Sequence, residues 1–81
     1  MREQALKFLE ALGGPENIVD IEGCLTRLRG TVVDPGKIDI DQLKQLKLLG
    51  EPIIKGNVIQ IVVGTKAEMI GTEMNKIMKG N

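Results

Sequence analysis

Residues 22–33 read EGCLTRLRGTVV, and whether they form strand or a loop leading into a helix decides the architecture of the chain. The β-branched residues Thr26, Thr31, Val32 and Val33 suit a pleated, half-buried surface, so the stretch reads as strand. The segment before it, NIVDIEG at 17–23, is also rich in β-branched residues, although Ile18, Asp20 and Glu22 alternate only imperfectly against Val19, Ile21 and Gly23. Together the two runs predict two strands with a bend near Cys24, and Asp34, Pro35 and Gly36 supply the turn that closes the second strand.

On the N-terminal side, residues 2–12 place Ala5, Leu6, Phe8, Leu9 and Leu12 at helical spacing until Gly13, Gly14 and Pro15 stop the pattern. On the C-terminal side, Asp39 with Gln42 has the form of a capping box, and Ile40, Leu43, Leu46 and Leu49 recur every three residues, which predicts a second helix ending near Gly50. PIIK and VIQIVVG around Gly56 and Asn57 predict a hairpin. Thr65 and Glu68 form another capping box, ahead of a third helix with Met69, Ile70, Met74, Ile77 and Met78 facing inward. This order suits an α+β fold: a four-stranded, largely antiparallel sheet with three helices packed on one face. No repeat, linker or low-complexity segment intervenes, so residues 1–81 read as a single domain. With one aromatic residue the core must be built from Ile, Leu, Val and Met, and the four methionines read as gap-filling core or as an adaptable binding surface.

A chain of 81 residues has room for one small core. Lys and Arg number 11 and Asp and Glu number 11, so there is no basic field to hold a nucleic-acid backbone. One cysteine cannot make an internal disulfide, and without histidine no residue set resembles a zinc site, which fits a reducing, cytoplasmic setting. The apolar runs are too short to span a bilayer, and acidic residues interrupt the apolar part of the N-terminus, so neither a membrane span nor a signal peptide is expected.

The chemistry centres on Cys24. A thiolate is the nucleophilic form of cysteine, and guanidinium charges or exposed backbone amides close by favour it. A bend after Gly23 would aim the amides of Leu25, Thr26 and Arg27 inward as an anion-binding nest. Arg27 and Arg29 lie two apart, so on a strand their side chains leave the same face, and two planar forks of donors suit a phosphate dianion. Against this stand two plainer uses: a cysteine that is a small buried hydrophobe, and arginines on a solvated strand face paired with Glu22 or Asp34. The tyrosine-phosphatase loop is a poor match, because it needs arginine where Gly30 stands and leads into a helix.

At these residues the sequence resembles a known family. CLTRLR followed by TVVD, then Lys37 and Asp39, an LKQL helix and VIQIVVGTKAEMIGTEM, is similar to the B domain (EIIB) of the glucose family of the bacterial phosphoenolpyruvate-dependent sugar phosphotransferase system, from about Leu12 to Met78. The resemblance implies a protein-phosphocysteine sugar phosphotransferase. Cys24 would take a phosphoryl group from a phosphohistidine on an EIIA domain and give it to a sugar bound by the membrane EIIC domain during uptake. Arg27 and Arg29 match arginines needed chiefly for passing phosphate to sugar, while Thr26, Arg27 and the amides from Leu25 onward would cradle the phosphate. No metal or organic cofactor is required by that scheme. The implied place is cytoplasmic, at the inner face of the cell membrane through association with or fusion to EIIC, and the chain is either a separate subunit or a piece of a longer protein.

The sugar stays open among glucose, N-acetylglucosamine and maltose-type systems, since the choice belongs to the membrane domain. Glu22 stands where the family commonly has Asp, and Lys47 where the second helix often meets a glycine. An apolar rim for the EIIA partner is expected from exposed members of Leu25, Leu28 or Val33 with the GTK corner at 64–66, although strand alternation favours core for Leu28 and Val32. A regulatory module that binds or phosphorylates a transcriptional regulator is the alternative function, and a purely structural reading requires Cys24 to be buried.

Overall fold

The computed structural model describes residues 1–80. Its elements run α1 (Arg2–Ala11), β1 (Ile18–Cys24), β2 (Arg27–Val32), α2 (Ile40–Lys44), β3 (Ile53–Lys55), β4 (Val58–Val62) and α3 (Ala67–Met78), with single 3-10 turns at Pro15–Asn17 and Pro35–Lys37. The four strands form one sheet in the order β1-β2-β4-β3, antiparallel throughout, as the sequence predicted.

Alternation divides the sheet into a covered and an open face. Ile21, Leu28, Val32, Ile59 and Ile61 are buried with Phe8, Leu9 and Leu12 of α1 and its end, Leu43 of α2, and Ile70 and Met74 of α3. Glu22, Cys24, Arg27, Arg29, Val58 and Gln60 fall on the other face. The imperfect pattern in NIVDIEG has a local cause: the register shifts between Ile18 and Asp20, so the extra residue, Val19, turns to solvent and the alternation resumes in the opposite phase.

Helix α3 lies against β1 through a stripe of small and polar residues. A Cβ on Gly23 would overlap the Ala67 carbonyl, and one on Gly71 would come within 2.6 Å of the Gly23 nitrogen. One turn further along, Asn75 Nδ2 donates to the Ile21 carbonyl at 2.9 Å. Gly23 is therefore needed for the approach of the helix, and it sits in regular strand opposite Leu28, so the bend expected near Cys24 falls beyond Cys24 and not directly after Gly23.

Other local expectations also change. The second helix stops at Lys44 instead of Gly50. At about 100° per residue, Ile40 and Leu49 would point to opposite sides of an α-helix, so the three-residue repeat cannot keep one face buried over its whole length. Leu49 instead is exposed, and its amide donates to the Val62 carbonyl at 2.9 Å, laying this connection along β4. Lys47 takes up the left-handed conformation (φ 58°), which explains why glycine suits this place.

The Asp39 cap forms, with Gln42 N donating to Oδ1 at 3.0 Å, but the Gln42 side chain donates to Glu10 of α1 and does not return to Asp39. The Thr65 and Glu68 box is absent: α3 begins at Ala67, Lys66 occupies the cap, and the Ala67 amide is satisfied by the Gly64 carbonyl at 3.1 Å. Met69 (53% exposed) points to solvent, which corrects its place in the inward stripe of the third helix, and Leu6 (46%) is exposed as well.

Candidate functional site

Cys24 ends β1 and Arg27 begins β2 as its directly opposed partner, so the hairpin turns in the two residues between them, Leu25 and Thr26. Such a short loop requires left-handed backbone to match the twist of the strands. Leu25 supplies it at φ 56°, a strained position for a residue with a branched side chain. The bend thus falls one residue after Cys24. The turn is anchored from below: the Thr26 carbonyl accepts from the amides of Val63 and Gly64 at 2.9 and 3.0 Å, fastening the loop to the connection between β4 and α3.

This anchoring holds a small set of polar groups in the open. Cys24 is exposed, which excludes the buried-hydrophobe reading. It lines a concavity of about 230 Å³ with Leu25, Thr26, Arg27, Arg29 and Gln60. All five residues singled out from the sequence therefore meet in one place. Opposed residues on adjacent strands bring their Cβ atoms to about 5 Å, so thiol and guanidinium of Cys24 and Arg27 share one corner. Among the described residues neither Arg27 nor Arg29 forms an ion pair, and the proposed pairing with Glu22 or Asp34 is absent. Nor do the amides of Leu25 and Thr26 donate to a protein acceptor among the described residues. Arg27 already belongs to the strand ladder, so its guanidinium is what it offers to the concavity.

The expected rim is only partly assembled. Leu25 stands out at 76% exposure beside the thiol, and the Gly64 corner adjoins through Thr26. Leu28 is fully buried because it faces the helices, and Val33 lies beyond the far end of β2, fastened by its amide to the Asn17 carbonyl at 2.8 Å. Gln60, opposite Arg29 on β4, was missed by the sequence reading. Its signal was legible, since it is the one polar residue in VIQIVV and stands at an outward position of that alternating run.

The open sheet face of this small α+β domain carries an exposed thiol, two guanidiniums without an ion pair among the described residues and two turn amides without a protein acceptor among them. Known proteins share its sequence and fold. The profile of the family described as phosphotransferase system, EIIB, matches residues 7–39, from α1 to the approach of α2. The N-acetylglucosamine-specific EIICBA component of Klebsiella pneumoniae is 38% identical over 78 residues, covering 96% of this chain and 12% of that protein. Glucose-specific and glucoside-specific EIICBA components of Staphylococcus saprophyticus and Staphylococcus carnosus are 41% and 40% identical over the same length, covering 96% of this chain and 11% of each protein. The chain thus spans roughly a ninth to an eighth of the length of these relatives. In fold it is similar to one domain of a phosphotransferase-system IIabc component from Clostridium difficile, with a TM-score of 0.71, 24% identity, and coverage of 95% of this chain and 78% of that one. The chain belongs to the EIIB family of the phosphotransferase system.

Proposed function

We propose that the chain is a phosphocarrier domain that accepts a phosphoryl group on Cys24 from the phosphohistidine of an EIIA domain and passes it to a sugar held by a membrane EIIC domain. The observation that carries this reading is the exposed Cys24 in one concavity with Arg27, Arg29 and the uncommitted amides of Leu25 and Thr26. The names of the EIICBA relatives support the same partners and a sugar of the glucose, glucoside or N-acetylglucosamine kind.

In the loading step the Cys24 sulfur forms an S–P bond while the P–N bond breaks. The bonding pair returns to the imidazole nitrogen, and the thiol proton ends there. In the unloading step a sugar hydroxyl oxygen forms the O–P bond, the S–P pair returns to sulfur, and the hydroxyl proton restores the thiol. One difficult transfer is thereby divided into two. The planar phosphoryl group spreads its charge over three equatorial oxygens, and the forks of Arg27 and Arg29 with the Leu25 and Thr26 amides are the donors available to them. Leu25, exposed at the turn, gives the EIIA partner an apolar contact that excludes water during transfer. No described helix is long and apolar enough to cross a membrane; the names of the EIICBA relatives support work at the inner membrane face through an EIIC partner.

The test is phosphoryl transfer from labelled phosphoenolpyruvate through the general phosphotransferase proteins and a glucose-type EIIA domain. Label is expected on the wild type and none on Cys24→Ser. Label on the serine variant, or on neither protein with several EIIA donors, would remove Cys24 as the carrier and leave the regulatory module as the reading to pursue.

A further inference from the structure

Arg29 occupies a position that Arg27 does not share. It lines the concavity of Cys24, and it also lines a second one of about 170 Å³ with Asp20, Glu22, Gly30, Thr31 and Val58. It is the one residue common to both. The strand register explains this: Glu22, Arg29 and Gln60 form a row across the open face, with Glu22 directly opposed to Arg29 on β1, and Cys24 and Arg27 form the next row towards the turn. Asp20 lies two residues back from Glu22 in the same unbroken register and therefore on the same face. Glu22 and Arg29 are both exposed, yet the pair is not closed to ion-pair distance among the described residues. A long side chain with acidic groups on one side and the phosphoryl site on the other has two charged destinations at little cost in repacking, since neither lies in the core.

We propose that Arg29 is shared between these destinations: the charges of Glu22 and Asp20 attract it without closing an ion pair while Cys24 is bare, and it is drawn to the phosphoryl group when Cys24 is loaded, so that Glu22 sets how tightly the carrier keeps its phosphate. The proposal rests on the phosphocysteine reading. Its physical content is competition. The carboxylate attraction that Arg29 works against on loading is subtracted from the stabilisation it gives the phosphate, which lowers the stability of the loaded state and aids onward transfer. Glu22 is a positioning residue in this scheme, acting through Arg29, and Gln60 on the other flank offers an uncharged amide that exerts no comparable pull.

The experiment measures the phosphorylation equilibrium between the EIIA donor and this domain for wild type, Glu22→Gln, Glu22→Asp, Arg29→Gln and the Glu22→Gln, Arg29→Gln double variant. Exposed charge pairs are worth a fraction of a kcal/mol to about one, so Glu22→Gln should shift the equilibrium about 2- to 5-fold towards phosphocysteine. Glu22→Asp should stay near wild type, and raising the salt should shrink the shift. The decisive comparison is the double variant, in which the effect of Glu22→Gln should vanish because its intermediary is gone. If the full shift persists without Arg29, Glu22 acts by direct repulsion of the phosphate and the two-position scheme is overturned, as it is if Glu22→Gln leaves the equilibrium unchanged. Absence of label on the wild type would instead sink the phosphocarrier reading itself, so the two failures are distinct.

Discussion

The two ends of the β1-β2 hairpin treat polar groups in opposite ways. At the closed end, Asn17 is buried and its side chain makes three hydrogen bonds. Its Nδ2 donates to the carbonyls of Leu12 at 2.8 Å and Asp34 at 3.0 Å, and its Oδ1 accepts from the Asp34 amide at 2.9 Å. Asn57, in the turn before β4, completes this end, donating to the carbonyls of Val32 and Val33, each at 2.8 Å. At the open end the turn amides, two guanidiniums and a thiol face solvent with their bonding capacity uncommitted among the described residues. Saturated polar groups fix a structure, whereas unsaturated ones held in place by that structure are free to bind. The hairpin is fastened at both ends, by Asn17 and Asn57 at one and through the Thr26 carbonyl at the other, and only the turn end leaves donors uncommitted among the described residues.

If this division is correct, damage at the closed end should reach stability and leave the chemistry intact. Asn17→Ala strands three buried or half-buried backbone groups, and a loss of about 3 kcal/mol is expected in denaturant titration, at the upper end for one removed partner. The fraction of molecules still folded should take up label to the same stoichiometry as wild type. Damage at the open end should do the reverse. Arg27→Lys keeps the charge but loses the planar fork, and onward transfer to sugar should slow by about 10-fold or more, as expected for the loss of a charge-assisted hydrogen bond, with the unfolding midpoint unmoved. An equal fall in stability would show that the open end is also structural. The smallest effect sharpens the comparison from outside the hairpin: Lys47→Gly removes left-handed strain at a residue that lines neither concavity of the open face, and should raise stability by about 0.5–1 kcal/mol without changing transfer.

Much of the open end was legible in the sequence because its residues are neighbours in the chain. Arg27 and Arg29 needed only the period of a strand, which the β-branched composition supplied, to share a face, and Cys24 joins them through the two-residue turn that sets it opposite Arg27. The closed end was not legible. Asn17 bonds to Asp34, and Asn57 to Val32 and Val33, across separations that no local pattern marks. The helix ends failed for a related reason. A capping box at Thr65 and a leucine repeat to Leu49 are locally reasonable, but the Gly64 carbonyl and the Val62 carbonyl offered competing partners once β4 was in place.

Sequence alone determined the class of the fold, the order of its elements and, Gln60 apart, the residues around the thiol, because each of these follows from periodicity and residue chemistry within a few positions. Tertiary structure decided which groups remain free. Whether a guanidinium, an amide or a thiol is consumed by a partner depends on what the sheet register and the packing of α3 bring beside it. The register places Arg29 between Glu22 and Gln60, and the contact of Gly23 with Ala67 and Gly71 settles α3 under β1, leaving Cys24 on the uncovered face.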